Sequence, residues 1–228
     1  SDHIEGNRGN DTLEGGGGDD TFKVYGDAGS DQYDGGAGQD TIQGSRYNDV
    51  IRVSDNLENI QNIEAIDGGE GYDILQAGSG DDTLDLSNGP ALSSIDEIDG
   101  GSGDDHIIGT SGSDHIEGNR GDDTIAAGAG DDSVSGGSGN DTYVFNPFEG
   151  NDTFHGGDGG GWTDTVQLNA NADPDADPEN PWTIAIDGEQ VQYDLAANAL
   201  ELNSDTSGVI TLSDGSELTF DGIEKIEW

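Results

Sequence analysis

Residues Gly100–Val144 read GGSGDDHII GTSGSDHIE GNRGDDTIA AGAGDDSVS GGSGNDTYV, five nonapeptides without a break. Glycine recurs at the first, second and fourth places, aspartate at the sixth and a large apolar residue at the eighth. The register returns upstream as GNRGNDTLE (Gly6–Glu14), GGGGDDTFK (Gly15–Lys23), GDAGSDQYD (Gly26–Asp34) and GGAGQDTIQ (Gly35–Gln43). It also appears in GGEGYDILQ (Gly68–Gln76), AGSGDDTLD (Ala77–Asp85) and PFEGNDTFH (Pro147–His155). The octapeptide SDHIEGNR even occurs twice, at Ser1–Arg8 and Ser113–Arg120. Such repeats are units that bury their apolar face only against their neighbours.

The pattern has a chemical logic. Glycine tolerates positive φ, so the loop can turn its carbonyls toward a common point. The aspartate adds a hard carboxylate oxygen, and carbonyls with carboxylates are the donor set calcium prefers. The tail x-U-x, with U apolar, is one brief strand whose central side chain points inward. Those inward residues are Leu13, Phe22, Tyr33, Ile42, Leu75, Leu84, Ile107, Ile116, Ile125, Val134, Tyr143 and Phe154. One apolar residue in nine makes no globular core, but stacked coils make a narrow one, with calcium along both edges. A flexible Gly/Ser/Asp linker shares the composition. It does not place an apolar residue two positions after every aspartate.

Composition points the same way. The 228 residues carry 50 acidic and 6 basic side chains, a formal charge of −44, with 29% hydrophobic residues and 40 glycines. So little apolar surface does not offset chain entropy unaided, and the charge repels itself in any compact state. A positive partner is required. Nucleic acid and anionic membrane surfaces are repelled. There is no cysteine, which excludes disulfides and thiolate chemistry. No apolar run reaches the ~20 residues of a membrane span, and no signal peptide opens the chain. Ser1 starts inside a repeat, so the chain reads as a piece of a longer protein.

The nonapeptides resemble those of the RTX (repeats-in-toxin) proteins, over most of the chain up to about Asp164. The resemblance implies an all-β fold: a parallel β-roll, a right-handed solenoid with two nonapeptides per turn and calcium between successive turns. Carried over, the ligand carboxylates are Asp11, Asp20, Asp31, Asp40, Asp73, Asp82, Asp105, Asp114, Asp123, Asp132, Asp141 and Asp152. Asp49 and Asp164 join them from degraded units, with Tyr47 and Trp162 where glycine belongs. The implied backbone ligands include the carbonyls of Gly15, Gly17, Gly35, Gly68, Gly100, Gly118 and Gly136.

Residues 1–52, 68–85 and 100–161 are thus expected to be roll blocks. Two segments, 53–67 (VSDNLENIQNIEAID) and 86–99 (LSNGPALSSIDEID), interrupt them. Both end in I-x-x-I-D and read as outward excursions whose isoleucines re-enter the roll. Residues 162–228 lack repeats and carry strand-like stretches at Thr165–Leu168, Trp182–Ile186, Val191–Leu195, Val209–Leu212 and Glu217–Phe220. Asp214-Gly215 within TLSDGSELTF marks a hairpin. The segment is expected to be a small β cap over the last coil's apolar residues and unpaired edges.

Other sites are weaker. Asp173–Asp177 imitates an EF-hand start, but Pro178 stands where glycine is needed and Ile184 where glutamate is needed. His3, His106 and His115 follow the loop aspartates and are expected to face solvent. H-E-x-x-H and G-x-S-x-G are absent, and no carboxylate pair stands apart as acid and base. Catalysis is not expected. The RTX resemblance implies a calcium-binding structural domain of a secreted bacterial protein, most like the carboxyl-terminal region of a large adhesin. The chain is expected to be monomeric, to be exported by type I machinery and to fold on meeting extracellular calcium. At ten times its dissociation constant, each independent site adds about 1.4 kcal/mol. The alternative is an accessory module of an extracellular protease, lipase or polysaccharide epimerase. A flat ice-binding face fits less well, because the outward positions form no regular row.

Overall fold

Each x-U-x tail forms a strand of three residues, short because a glycine loop begins at once on either side. The computed structural model describes residues 1–157, 160–169 and 182–228. In the amino-terminal block these strands are β1 (His3–Glu5), β2 (Thr12–Glu14), β3 (Thr21–Lys23), β4 (Gln32–Asp34) and β5 (Thr41–Gln43). β1, β3 and β5 stack in parallel in one sheet, with Ile4, Phe22 and Ile42 in register. β2 and β4 stack in a second, with Leu13 opposite Tyr33. Two nonapeptides therefore make one coil of a parallel β-roll.

The centre of the roll is built differently. It comprises β6 (Val50–Arg52), β7 (Ile60–Gln61), β8 (Ala65–Asp67), β9 (Ile74–Gln76), β10 (Thr83–Asp85), β11 (Ala91–Ser93), β12 (Glu97–Asp99) and β13 (His106–Ile108). β8 continues the first sheet from β5, and β11 continues it from β8. β7 joins β4, while β6, β9 and β12 open a further parallel row. Each coil here contains three strands, as in β8–β9–β10 and β11–β12–β13. Segments 53–67 and 86–99 are not outward excursions: they supply β7 with β8 and β11 with β12. Their aliphatic residues are the reason. Ile63, Ile66 and Ile98 are buried, with Ile60, Leu92 and Ile95 packed against the same core, and only a strand within the roll covers them.

From β12 onward the roll returns to two strands per coil, through β14 (His115–Arg120), β15 (Thr124–Ala126), β16 (Ser133–Ser138), β17 (Thr142–Phe145), β18 (Asn151–His155) and β19 (Thr165–Leu168). β12, β14, β16 and β18 form one row and β13, β15, β17 and β19 the other. β19 pairs in register with β17, so the roll runs past Trp162. Beyond it lie β20 (Trp182–Ile186), β21 (Glu189–Val191), β22 (Ala199–Leu212) and β23 (Glu217–Glu227).

β23 closes the end. Its first half pairs with β18, Phe220 opposite Phe154, and its second half with β19, Ile226 opposite Val166. The bend between the halves falls at Gly222, whose φ of 65° suits glycine. One strand thus serves as the last rung of both rows. The antiparallel strands β22 and β20 pack alongside it, with Asp214-Gly215 at the β22–β23 turn. All twelve inward residues of the nonapeptides are buried in one continuous apolar column. Tyr143 stacks on Phe154 at 5.1 Å, and Phe22 meets Tyr33 edge-on at 5.6 Å.

Candidate metal centres

Each loop aspartate stands at the point where its glycine loop enters a strand, and there it ties two coils together. The backbone N–H of one aspartate donates to a carboxylate oxygen of the aspartate one coil further on. Along one edge Asp82, Asp105, Asp123 and Asp141 donate in turn to Oδ1 of Asp105, Asp123, Asp141 and Asp164, each at 2.8 Å. On the opposite edge Asp49 donates to Asp73, Asp114 to Asp132, and Asp132 to Asp152. In the amino-terminal block Asp11 donates to Asp31 and Asp20 to Asp40.

Three rungs escaped the repeat reading. Asp40 donates to Glu64, Asp73 to Asp96, and Asp164 to Glu224. These acids lie in NIEAID, SIDEID and GIEKIE, where the glycine loop is lost but an acid still stands two residues before a buried isoleucine. That acid-x-Ile remnant was the available signal.

The second carboxylate oxygens define the candidate centres. Oδ2 of Asp11, Asp20, Asp40, Asp73, Asp105, Asp123, Asp132 and Asp141 is buried and has no hydrogen-bond donor. A buried anionic oxygen without a partner is costly. Burial pushes the carboxyls of Asp105 and Asp141 up to about 7, and those of Asp123 and Asp132 up to about 6. It also raises Asp73. Beside each such oxygen except that of Asp132, whose loop opens on Ala127, lies the first glycine of the same loop and, in several loops, a carbonyl of the next coil. A Cβ at Gly15 would sit 2.6 Å from Asp20 Oδ2 and 2.7 Å from the carbonyl oxygen of Gly35. At Gly100 the distances are 2.9 Å to Asp105 Oδ2 and 3.0 Å to Gly118 O; at Gly118, 2.5 Å to Asp123 Oδ2 and 2.6 Å to Gly136 O. Gly44 faces the carbonyl of Gly68 in the same way. The expected carbonyls of Gly35, Gly68, Gly118 and Gly136 therefore turn toward the preceding coil. Gly15 and Gly100 line the carboxylates through their α-carbons, and Gly17 forms an isolated bridge to Ala37.

The other expected carboxylates stand differently. Asp49 Oδ2 accepts from the Ser45 N–H, Asp82 Oδ2 from Gly78 N–H, and Asp114 Oδ2 from both the N–H and hydroxyl of Thr110. Tyrosine hydroxyls donate to Asp31 and Asp152. Asp164 holds the amide of Asp141. The EF-hand-like stretch Asp173–Asp177 lies outside the described residues. Among the described residues no three Asp, Glu, His or Cys side chains converge on one point, so a cation here must draw on main-chain oxygens as well. The arrays fit calcium, which takes six to eight such oxygens in a flexible cage. When bound, calcium supplies the positive charge that these buried oxygens lack.

Comparison with known proteins agrees. The family described as the RTX calcium-binding nonapeptide repeat matches residues 1–33, 23–42, 34–55, 62–90, 91–115 and 108–143. These matches cover more than half of the chain, and the chain belongs to the RTX repeat family: it is a calcium-binding domain of a secreted protein. No curated protein matches it. Among solved structures it is similar to the extracellular lipase LipA from Serratia marcescens, at 14% identity and a TM-score of 0.25. That alignment covers 97% of this chain and 40% of the lipase, so the chain spans less than half of that protein's length.

Proposed function

We propose that this chain is a non-catalytic structural segment of a large secreted adhesin, exported by a type I system and displayed at the cell surface as a monomer. The observation that supports this most is the array of buried carboxylate oxygens without donors. Such a core is unfavourable where calcium is scarce, as in a cytosol, and favourable at the millimolar levels that extracellular modules use. Before export the −44 charge keeps the chain extended and threadable; outside, the coils close. The same negative field repels nucleic acid and anionic membranes. The carboxylates also argue against catalysis. They repeat from coil to coil in one hydrogen-bonded role.

Far-UV circular dichroism in chelator, then in millimolar calcium, tests the folding step. A disordered spectrum converting to β is expected, and a β spectrum already present in chelator would contradict gated folding. Cells secreting the parent protein with and without residues 1–228 test the adhesin role. Loss of surface attachment is expected. Unchanged attachment with loss of a secreted enzyme activity would assign the chain to an extracellular enzyme.

A further inference from the structure

In eight loops the aspartate keeps an oxygen open to an ion, and in all eight the residue four places before it has the same backbone conformation. Oδ2 is buried without a donor in Asp11, Asp20, Asp40, Asp73, Asp105, Asp123, Asp132 and Asp141. Four residues before these aspartates stand Asn7, Gly16, Gly36, Gly69, Gly101, Asn119, Gly128 and Gly137. Every one of the eight has positive φ, from 65° at Asn7 to 106° at Gly137. Glycine adopts that conformation freely and asparagine tolerates it.

Where the second residue leaves this region, the carboxylate is closed from within. Ser45, Gly78 and Thr110 are not among the positive-φ residues. Their N–H groups donate to Oδ2 of Asp49, Asp82 and Asp114, at 2.5, 2.9 and 2.7 Å. Thr110 adds its hydroxyl at 3.0 Å, and the Ser45 hydroxyl reaches Asp49 Oδ1 at 3.2 Å. Two further carboxylates are closed by the strand that follows or precedes them. Tyr33 Oη donates to Asp31 Oδ2 at 3.3 Å, and Tyr143 Oη to Asp152 Oδ2 at 2.8 Å.

We infer that calcium is held at the eight aspartates whose buried Oδ2 lacks a donor, each behind a left-handed residue, and that protein donors take its place at Asp31, Asp49, Asp82, Asp114 and Asp152, the last closed by Tyr143 although Phe148 before it is also left-handed. The physical reason is local. A residue with positive φ turns its own N–H away from the carboxylate and leaves the oxygen to a cation. A β-branched threonine is disfavoured in that region, so its N–H stays aimed at the oxygen; Gly78 takes the same closing conformation with no side chain to impose it. The rule makes the two edges of the carboxyl-terminal roll unequal. Asp105, Asp123 and Asp141 form three consecutive open positions on one edge. On the other, open Asp132 lies between closed Asp114 and closed Asp152. This departs from the expectation of equivalent sites along both edges, and it rests on the reading of the chain as a calcium-binding roll.

Native mass spectrometry and calorimetry with calcium count the ions on the whole chain. Asp123→Asn is expected to lose at least one bound calcium, while Asp114→Asn keeps the full count. Thr110→Gly, which restores the motif's glycine and relieves the φ restriction, is expected to gain one. If Asp114→Asn loses calcium as Asp123→Asn does, or Thr110→Gly leaves the count unchanged, the rule is wrong although the chain remains a calcium roll. If the unsubstituted chain takes up no calcium, it is the calcium reading itself that fails.

Discussion

A single methyl group at Gly118 tests whether the space beside the carboxylates is a filled cage or slack. Gly118 is not in the left-handed region, so alanine there meets no backbone penalty. The obstacle is purely spatial. The added Cβ would lie 2.5 Å from Asp123 Oδ2, 2.6 Å from the carbonyl oxygen of Gly136 and 3.0 Å from Asp123 Cγ. Two of these contacts are far inside van der Waals distance, and one is to backbone that cannot rotate away. Overpacking of this kind costs about 1–3 kcal/mol, roughly a 5- to 150-fold loss in the folding equilibrium constant at fixed calcium. Gly80→Ala is the internal control, because a Cβ at Gly80 meets nothing within 4 Å and Gly80 is likewise outside the left-handed region. Its effect is expected to stay within about 0.5 kcal/mol. Urea unfolding at constant millimolar calcium gives both free energies, and a circular-dichroism titration gives the calcium midpoints. Gly118→Ala should lower stability and raise the midpoint, with Gly80→Ala close to the parent. Equal behaviour of the two variants would refute the cage.

Phe154, fully buried between Tyr143 and its register partners Val134 and Phe220, should cost about 3–5 kcal/mol when replaced by alanine; thermal unfolding in calcium measures it, and a loss below 1 kcal/mol would place the core elsewhere. Acid should act in part as calcium does. Folded carboxyls pushed above 3.8, to about 7 at Asp105 and Asp141 and about 6 at Asp123 and Asp132, bind protons more tightly than the unfolded chain. Their contribution to stability is therefore fully present below about pH 4 and lost as pH rises through 6 to 7. In chelator, β signal should appear as pH falls from 8 to 5, and a spectrum unchanged over that range would contradict the burial of these groups.

Much of this architecture is written in local sequence, because each nonapeptide specifies its own loop and strand. The apolar residue two places after each aspartate is the buried one without exception, from Leu13 to Phe154. The three-strand coils were not legible. They depend on β7 finding β4 and β11 finding β8, and no residue within 53–67 or 86–99 names a partner so far along the chain. The cap was half legible. The Asp214-Gly215 turn announced its hairpin, but β23 serving both rows depends on a bend at Gly222 that resembles any other glycine. Thr165–Leu168 looked like cap because its loop had lost the motif, while Val166 still aligned with Tyr143. At the carboxylates the distinction between open and closed was available only in part, since Asp82 is closed although its loop keeps the motif's glycine at Gly78. Ser45 and Thr110 occupy places that glycine or asparagine fills in the open loops. The closure by Tyr33 and Tyr143 was not, since a tyrosine at an inward position reads simply as core.

The stacking direction of the coils has a mechanical consequence. Strands lie across the roll and hydrogen bonds run along it, so β1 and β23 occupy opposite ends of the stack. Tension between Ser1 and Trp228 loads those bonds a rung at a time rather than shearing whole strands together. Each coil released gives up only about 4.8 Å of stack height. The pairing of Ile116 with Val134 makes that coil 18 residues long, and 18 residues drawn straight span about 60 Å. The pairing of Ala65 with Ala91 makes a three-strand coil of 26 residues, which yields about 90 Å. Under load the roll lengthens in steps more than tenfold larger than the rung it surrenders, with the longest steps stored in its middle.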